Sequence, residues 1–140
     1  NIISEFQRNK TMSDLKVSDV MMTDFKTIDG MTSIAEALTM LKNNRLNALF
    51  VSPKDKNNVY GIMTLKDIAR KVISQRRKLH ETHVYEIMSK PVLTIQTTMP
   101  IPYAARFLSN FNVSYAMVLE KDEVVGMISL NGMVMQWKGE

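Results

Sequence analysis

The stretch "GIMTLKD", Gly61–Asp67, decides how this chain is interpreted. An apolar run ends in a hydroxyl at Thr64, and a carboxylate follows three residues later at Asp67. This is the spacing of a capping box, in which two side chains satisfy free amides at the start of a helix. The same spacing places a hydroxyl and a carboxylate at a helix N-terminus, where an anionic ligand can bind. The spacing alone leaves both interpretations open.

A related stretch, "GMISLNG", recurs at Gly126–Gly132 and belongs to a longer internal repeat. When Val17 is set against Val84, the two halves of the chain align. The identical pairs include Met21/Met88, Thr27/Thr94, Ile34/Ile101, Leu41/Leu108 and Val51/Val118. Self-similarity over nearly the whole chain indicates two copies of one structural unit, and neither copy is expected to bury its apolar face alone.

Each copy shows the pattern of a β-α-β-β-α unit, which predicts an α/β fold. In the first copy we predict strands at Phe25–Ile28, Ala48–Ser52 and Val59–Met63, a helix from Ile34, and a helix from Leu65 to about Arg77. In the second we predict strands at Val92–Ile95, Tyr115–Glu120 and Val124–Ile128, a helix from Ile101, and a helix from Leu130 to about Lys138. The predicted division is an extension at 1–16, partly helical or frayed, a first repeat at 17–77, a linker at 78–83 and a second repeat at 84–140.

Composition places the chain among ordinary globular proteins, with 45% hydrophobic and 23% charged residues. No apolar run reaches the length of a membrane span, and the first residues lack the pattern of a signal peptide. The sequence has no cysteine, which fits a reducing compartment, and we expect a cytoplasmic protein without membrane insertion.

The net charge of +4 and the pI of about 9.4 raise the question of nucleic-acid binding. Much of the excess charge lies in one predicted helix, where Asp67 is the single acidic residue among Lys66, Arg70, Lys71, Arg76, Arg77 and Lys78. A basic helix without interleaved aromatic residues is typical of a solvated face. We therefore do not expect nucleic acid as a partner.

Catalytic and metal-binding patterns are weak in this sequence. His80 and His83 are three residues apart but lack the carboxylate or thiolate company that a metal site needs, so no metal is expected. Ser, His and Asp residues show neither a nucleophile elbow nor a triad spacing, so the chain is not expected to be an enzyme. Asp19 and Glu86 occupy equivalent positions and are interpreted as helix-start residues.

The duplicated unit resembles a tandem pair of cystathionine-β-synthase (CBS) domains, the Bateman module. The motifs that carry the resemblance are "DVMMTDFKTI" (19–28) and "GIMTLKDI" (61–68), repeated as "EIMSKPVLTI" (86–95) and "GMISLNGM" (126–133). The resemblance covers almost the whole chain from Val17. It implies two β-α-β-β-α repeats that pack through their sheets with pseudo-twofold symmetry.

The resemblance also implies two clefts for adenosyl compounds, in which the closing Asp holds the ribose and the Thr or Ser faces phosphate. The ligand-binding residues of the complete cleft would be Ile62, Thr64, Asp67, Met88, Pro91, Val92, Leu93, Val113 and Ser114. The second cleft would use Met21, Asp24, Phe25, Lys26, Leu46, Asn47, Met127 and Ser129. Gly132 stands where its ribose-binding carboxylate belongs, so we expect this second site to be degenerate or empty.

By the same resemblance, the chain is expected to be a homodimeric regulatory module that passes a signal to an attached domain or to a partner such as an enzyme or a transporter. Its regulatory ligand would be ATP, ADP, AMP, S-adenosylmethionine or a cyclic dinucleotide, and no cofactor is expected. The alternative is a ligand-free module for dimerisation or protein interaction, in which Asp67 serves only as a cap.

Overall fold

The computed structural model of the protein describes residues 14–136 and contains two compact units. The first, here called the Asp67 unit, is Phe25–Val92. The second, here called the Gly132 unit, combines the described residues of 14–24 and 93–136. Each unit therefore holds the sheet of one repeat together with the opening segment of the other repeat.

The helices and strands follow the predicted order in both repeats, and this confirms the α/β fold class. In chain order they are α1 (Val17–Val20), β1 (Thr27–Ile28), α2 (Ile34–Asn44), β2 (Ala48–Val51), β3 (Gly61–Thr64), α3 (Leu65–Ile68), β4 (Thr94–Gln96), α4 (Ile101–Asn110), β5 (Tyr115–Glu120), β6 (Glu123–Ser129) and α5 (Leu130–Met135). A π-helical turn, Ala69–Ile73, continues α3, and a 3₁₀ turn, Val84–Glu86, opens the second repeat.

Each unit contains a three-stranded sheet with the same topology. The strand orders are β1-β2-β3 and β4-β5-β6, with the first pair parallel and the second antiparallel in each sheet. The register is also shared, because Thr27 pairs with Phe50 and the equivalent Thr94 pairs with the equivalent Met117. The short polar turns allow the antiparallel hairpins, whereas the parallel pairs require the helical crossovers α2 and α4.

Each unit has its own hydrophobic core, formed by one face of the crossover helix and the sheet. In the Asp67 unit, α2 buries Ile34, Ala37 and Leu41. In the Gly132 unit, α4 buries the equivalent Ile101, Ala104 and Leu108. Equivalent residues of the two repeats therefore pack in the same way, which explains why these three pairs are identical.

Some predicted boundaries differ from the structure. The strand predicted at Val59–Met63 begins at Gly61, because pairing with β2 starts there and Val59 is exposed. The helix predicted to reach about Arg77 changes to π geometry at Ala69 and ends at Ile73. The chain then turns at Arg76, whose φ of 56° is left-handed.

The predicted N-terminal extension is only partly described, since residues 1–13 lie outside the described residues. Its last part is not frayed. Leu15 is buried in the core of the Gly132 unit, and its carbonyl accepts a hydrogen bond from the Ile101 amide at 2.9 Å. This contact could not be predicted from the sequence, because the extension has no clear periodicity.

Candidate functional site

The Thr64–Asp67 pair forms the capping box that its spacing predicts. The Thr64 hydroxyl accepts a hydrogen bond from the Asp67 amide at 3.2 Å. In return, Asp67 Oδ2 accepts from the Thr64 amide at 2.8 Å and from the Thr64 hydroxyl at 3.1 Å. Each side chain thus satisfies an amide that the first turn of α3 leaves without a backbone partner.

The second carboxylate oxygen of Asp67 takes no part in this box. Its neighbour is the Lys71 ammonium, whose Nζ lies 3.6 Å from Asp67 Oδ1. Lys71 Nζ also donates to the carbonyl of Ile87 at 2.9 Å. Because the cap uses only Oδ2, Oδ1 can accept further hydrogen bonds, and the Asp67 side chain retains 17% of its exposure to solvent.

The opening segment of the second repeat lies antiparallel to β3 in the Asp67 unit. Ile62 and Ser89 exchange two backbone hydrogen bonds of 2.9 Å, and the Val92 amide donates to the Tyr60 carbonyl. A Cβ at Gly61 would lie 3.0 Å from the Met88 sulfur and 3.0 Å from the Ser89 carbonyl oxygen. Glycine opens the "GIMTLKD" motif because the opening segment passes this close.

The Gly132 unit repeats this arrangement. Met22 and Met127 exchange backbone hydrogen bonds of 2.8 and 2.9 Å, and a Cβ at Gly126 would lie 2.7 Å from the Met21 sulfur. The Ser129 hydroxyl caps α5 by accepting from the Gly132 amide at 2.9 Å. The hydroxyl of the closing motif is therefore kept in both units, whereas the carboxylate occurs only in the Asp67 unit.

The residues predicted for the complete site are divided between the two units. Those in the Asp67 unit are Ile62, Thr64, Asp67, Met88, Pro91 and Val92, and the pairing of β3 with the opening segment brings these two stretches together. Leu93, Val113 and Ser114 belong to the Gly132 unit. There the Leu93 carbonyl accepts from Met117 and the Ser114 carbonyl accepts from Leu130.

The residues predicted for the second site are divided in the same way. Met21, Asp24, Met127 and Ser129 belong to the Gly132 unit, and Phe25, Lys26, Leu46 and Asn47 to the Asp67 unit. In the Asp67 unit Phe25 packs edge-on against Phe50, and the Lys26 and Asn47 carbonyls accept backbone hydrogen bonds from Phe50 and Leu65. Leu46 is buried in the core.

Asp19 and Glu86 are helix-start residues, as predicted. Asp19 accepts from the Lys16 amide at 2.9 Å, and Glu86 accepts from the His83 amide at 2.7 Å. Glu86 is also paired with the Arg77 guanidinium, and its Oε2 lies 3.3 Å from His83 Nδ1. The hydrogen bond from the His83 amide, reinforced by the Arg77 side chain, lowers the pKa of Glu86 from its ordinary value of 4.5.

Lys71 is the residue of this region whose role the sequence pattern does not reveal, because in the sequence it is one of several cations of a basic helix. Its distance of four residues from Asp67 is the signal that could have identified it, since side chains at this spacing are neighbours on a helix. Within residues 14–136, no group of three or more His, Asp or Glu residues is arranged to hold a metal ion. Nor does any helix in this range have the length and apolarity of a membrane span.

The CBS domain family matches this sequence twice, at residues 17–74 and 84–135. The two matches cover more than half of the chain and coincide with the two repeats. The chain belongs to the CBS domain family. This confirms the tandem CBS pair inferred from the duplicated opening and closing motifs.

Solved structures of CBS proteins share the fold. A hexameric CBS-CP12 protein from bloom-forming cyanobacteria is 29% identical with a TM-score of 0.82, and the similarity covers 86% of this chain and 69% of that chain. The CBS domain pair of protein MJ0100, solved in complex with 5′-methylthioadenosine and S-adenosyl-L-methionine, is 28% identical with a TM-score of 0.73. That similarity covers 86% of this chain and 94% of the other.

Two curated relatives are much longer than this chain, and the similarity covers only part of each. A homoserine O-acetyltransferase from Methanohalobium evestigatum is 31% identical over 86% of this chain. The chain spans 24% of the length of that enzyme and 33% of the length of another relative, from Methanocaldococcus jannaschii. The similarity therefore concerns the CBS pair and only part of each relative.

Proposed function

We propose that this CBS pair is a regulatory module that senses an adenine nucleotide or a related adenosyl ligand. The observation that supports this proposal is that the two oxygens of the Asp67 carboxylate have different partners. Oδ2 completes the cap of α3, and Oδ1 lies 3.6 Å from the Lys71 ammonium, its one ion-pair partner among residues 14–136. A carboxylate oxygen with free acceptor capacity is the group that binds ribose hydroxyls in dinucleotide sites.

The similarity to the pair of protein MJ0100, which was solved with two adenosyl compounds, supports this ligand class. In the proposed mode Asp67 accepts from the ribose, Thr64 and the start of α3 face the phosphate or its substitute, and the opening segment at Met88–Val92 lies against the base. Leu93, Val113 and Ser114 are the further contacts that the family resemblance adds.

Signalling requires that the ligand bind one arrangement of the protein better than another, because a ligand with equal affinity for two states shifts neither. A ligand that contacts residues of both repeats would meet this requirement. The receiver of the signal is then an attached domain or a partner protein. The module itself performs no reaction in this proposal.

A thermal-shift screen with S-adenosylmethionine, methylthioadenosine, AMP, ADP and ATP tests the proposal. We expect at least one of them to raise the melting temperature by several degrees at saturating concentration. Asp67→Asn keeps an oxygen for the cap but loses the charge. This variant should bind that ligand about tenfold or more weakly than the wild type.

The matched control is Asp19→Asn, because Asp19 also accepts an amide hydrogen bond at the start of a short helix. This variant should bind the ligand like the wild type. If none of the five compounds stabilises the wild type, or if Asp67→Asn binds as tightly as Asp19→Asn, the proposed sensing role of Asp67 is wrong.

The alternative, a module for dimerisation, is favoured by a separate observation. The closing helices expose apolar side chains, with Ile73 65% exposed in the Asp67 unit and Val134 and Met135 64% and 82% exposed in the Gly132 unit. We propose that a second copy of the chain covers them in a homodimer. Sedimentation of the wild type and of Ile73→Glu tests this, and a wild-type monomer would contradict it.

A further inference from the structure

The Asp67 unit contains a cleft of about 240 Å³ that is separate from the Thr64–Asp67 pair. Its lining includes Asp29 and Ser52, which directly follow β1 and β2, and Gly61, the first residue of β3. Thr64 stands at the opposite end of β3 from Gly61. In open α/β sheets, ligands bind in crevices outside the carboxyl ends of parallel strands, and this cleft has that position.

The charged residues of the cleft lining are two lysines and one aspartate, which gives the lining a net positive charge. Lys54, from the β2–β3 turn, and Lys90, from the opening segment, both line it. Among residues 14–136 neither ammonium lies within ion-pair distance of a carboxylate. Asp29, the acidic residue of the lining, uses its Oδ1 to accept from the Met31 amide at 2.7 Å.

The cleft also offers an aromatic surface next to these cations. The Tyr85 ring lines it and is 42% exposed, and Lys54 Nζ lies 5.7 Å from the ring centroid. Val51 and Met88 add apolar and thioether surface to the lining. Small-molecule sites typically combine such apolar and aromatic walls with a few convergent polar groups.

The Gly132 unit shows that the fold does not require these residues. At the positions equivalent to Tyr85, Lys90 and Ser52 this unit has Ser18, Thr23 and Leu119, and of the two lysines only Lys54 has a counterpart, Lys121. The Gly132 unit nevertheless forms a sheet of the same topology and register. Among residues 14–136, the combination of an aromatic ring with two lysines is therefore found in the Asp67 unit and not at the equivalent positions of the Gly132 unit, and it calls for an explanation other than folding.

We propose that this cleft is a second binding site, for a small organic anion with a flat apolar body. The body packs on the Tyr85 ring, and a carboxylate or phosphate pairs with the ammonium groups of Lys54 and Lys90. The site does not use Asp67, so it can exist whether or not an adenosyl ligand binds to the capping box.

Titration of the ¹⁵N-labelled protein with phenyl phosphate and with benzoate, followed by NMR, tests this proposal. The amide signals of Gly30, Ser52 and Gly61 should shift in a saturable way with at least one of the two anions. Neutral benzyl alcohol should cause much smaller shifts. Raising the salt concentration should weaken binding of the anion, because Lys54 and Lys90 are exposed to solvent and their charges are screened by salt.

Substitutions of the lining residues test whether the anion binds in this cleft. We expect the affinity for the anion to fall about tenfold in the double variant Lys54→Met, Lys90→Met. A separate variant, Tyr85→Ser, should show a loss of similar size. Lys56→Met is the matched control, because Lys56 is an exposed lysine of the same turn that does not line the cleft, and it should bind like the wild type. An unchanged spectrum of the double variant, apart from local shifts, shows that it is folded.

Several outcomes would overturn the proposal. These are the absence of saturable shifts for either anion, shifts confined to Thr64 and Asp67, equal binding by the double variant and Lys56→Met, or equal binding of benzyl alcohol.

Discussion

The Asp67 unit and the Gly132 unit begin their closing helices with the same hydroxyl cap but differ in the group three residues later. The Thr64 hydroxyl accepts from the Asp67 amide at 3.2 Å, and the Ser129 hydroxyl accepts from the Gly132 amide at 2.9 Å. The carboxylate of Asp67, and Lys71 beside it, have Gly132 and Gln136 as their equivalents in the second repeat. Both units thus keep the hydroxyl cap, and the Gly132 unit forms the same fold without the charged pair, which leaves room for a function of that pair in the Asp67 unit.

The largest effect is expected where the two units are alike. Gly61→Ala and Gly126→Ala each place a Cβ within about 3 Å of the opening segment, and at Gly61 one of the atoms met is the backbone oxygen of Ser89. Overpacking of this kind destabilises by about 1–3 kcal/mol. Urea denaturation of both variants would measure it, and a cost below about 0.5 kcal/mol for both would contradict the close packing described here.

The next effect concerns Lys71, which has no charged equivalent in the Gly132 unit. Lys71→Met keeps most of the side-chain length but removes the hydrogen bond to the Ile87 carbonyl. We expect it to lower the free energy of unfolding by about 1 kcal/mol, the usual net value of such a bond. Lys66→Met, at an exposed position of the same helix, is the control, and an equal change in the two variants would show that Lys71 holds nothing in place.

Gly132→Asp would make the Gly132 unit resemble the Asp67 unit. The new Cβ would lie 2.9 Å from the Ser129 hydroxyl, and the Thr64–Asp67 capping box shows that a hydroxyl and an aspartate can be accommodated at this spacing with a small shift. The change removes a helical glycine and adds a carboxylate to the first turn of α5, so we expect stabilisation by about 0.5–1 kcal/mol. Thermal unfolding measures it, with Gly132→Asn as the control without charge, and a lower melting temperature for Gly132→Asp would contradict the equivalence of the two caps.

The smallest expected effect is the pH dependence of the stability that Glu86 contributes. The equivalent residue in the first repeat is Asp19. The pKa of Glu86 is lowered in the folded state, chiefly by the His83 amide and then by Arg77, so ionised Glu86 stabilises the fold. This contribution is fully present above the unfolded value, about 4.5, and is lost as the pH falls through the lower folded value. The stability difference between the wild type and Glu86→Gln, followed by urea denaturation from pH 7 to pH 3, should shrink below pH 4.5, and a constant difference would contradict this.

The repeat, the order of elements and the cap could be predicted from the sequence because they depend on local patterns. The offset between Val17 and Val84 predicted two identical sheets, and the Thr64–Asp67 spacing predicted a capping box that the structure confirms. The sequence did not predict the burial of Leu15 or the pairing of Ile62 with Ser89, because these contacts join residues far apart in the chain.

The cleft lined by Lys54, Tyr85 and Lys90 was hidden from the sequence for the same reason, since three separate stretches supply its charged and aromatic groups. The roles of Thr64 and Asp67 in ligand binding came from the family resemblance, and they remain predictions. Local spacing could establish only the cap.

The central claim is that the Asp67 carboxylate binds a ligand in addition to capping α3. Isothermal titration calorimetry with the adenosyl compound that most stabilises the wild type tests it most directly, on the wild type, Asp67→Asn and Gly132→Asp. We predict one ligand per chain for the wild type, binding about tenfold or more weaker for Asp67→Asn, and undiminished binding for Gly132→Asp. Equal affinity of the wild type and Asp67→Asn would contradict the claim and leave Asp67 as a cap alone.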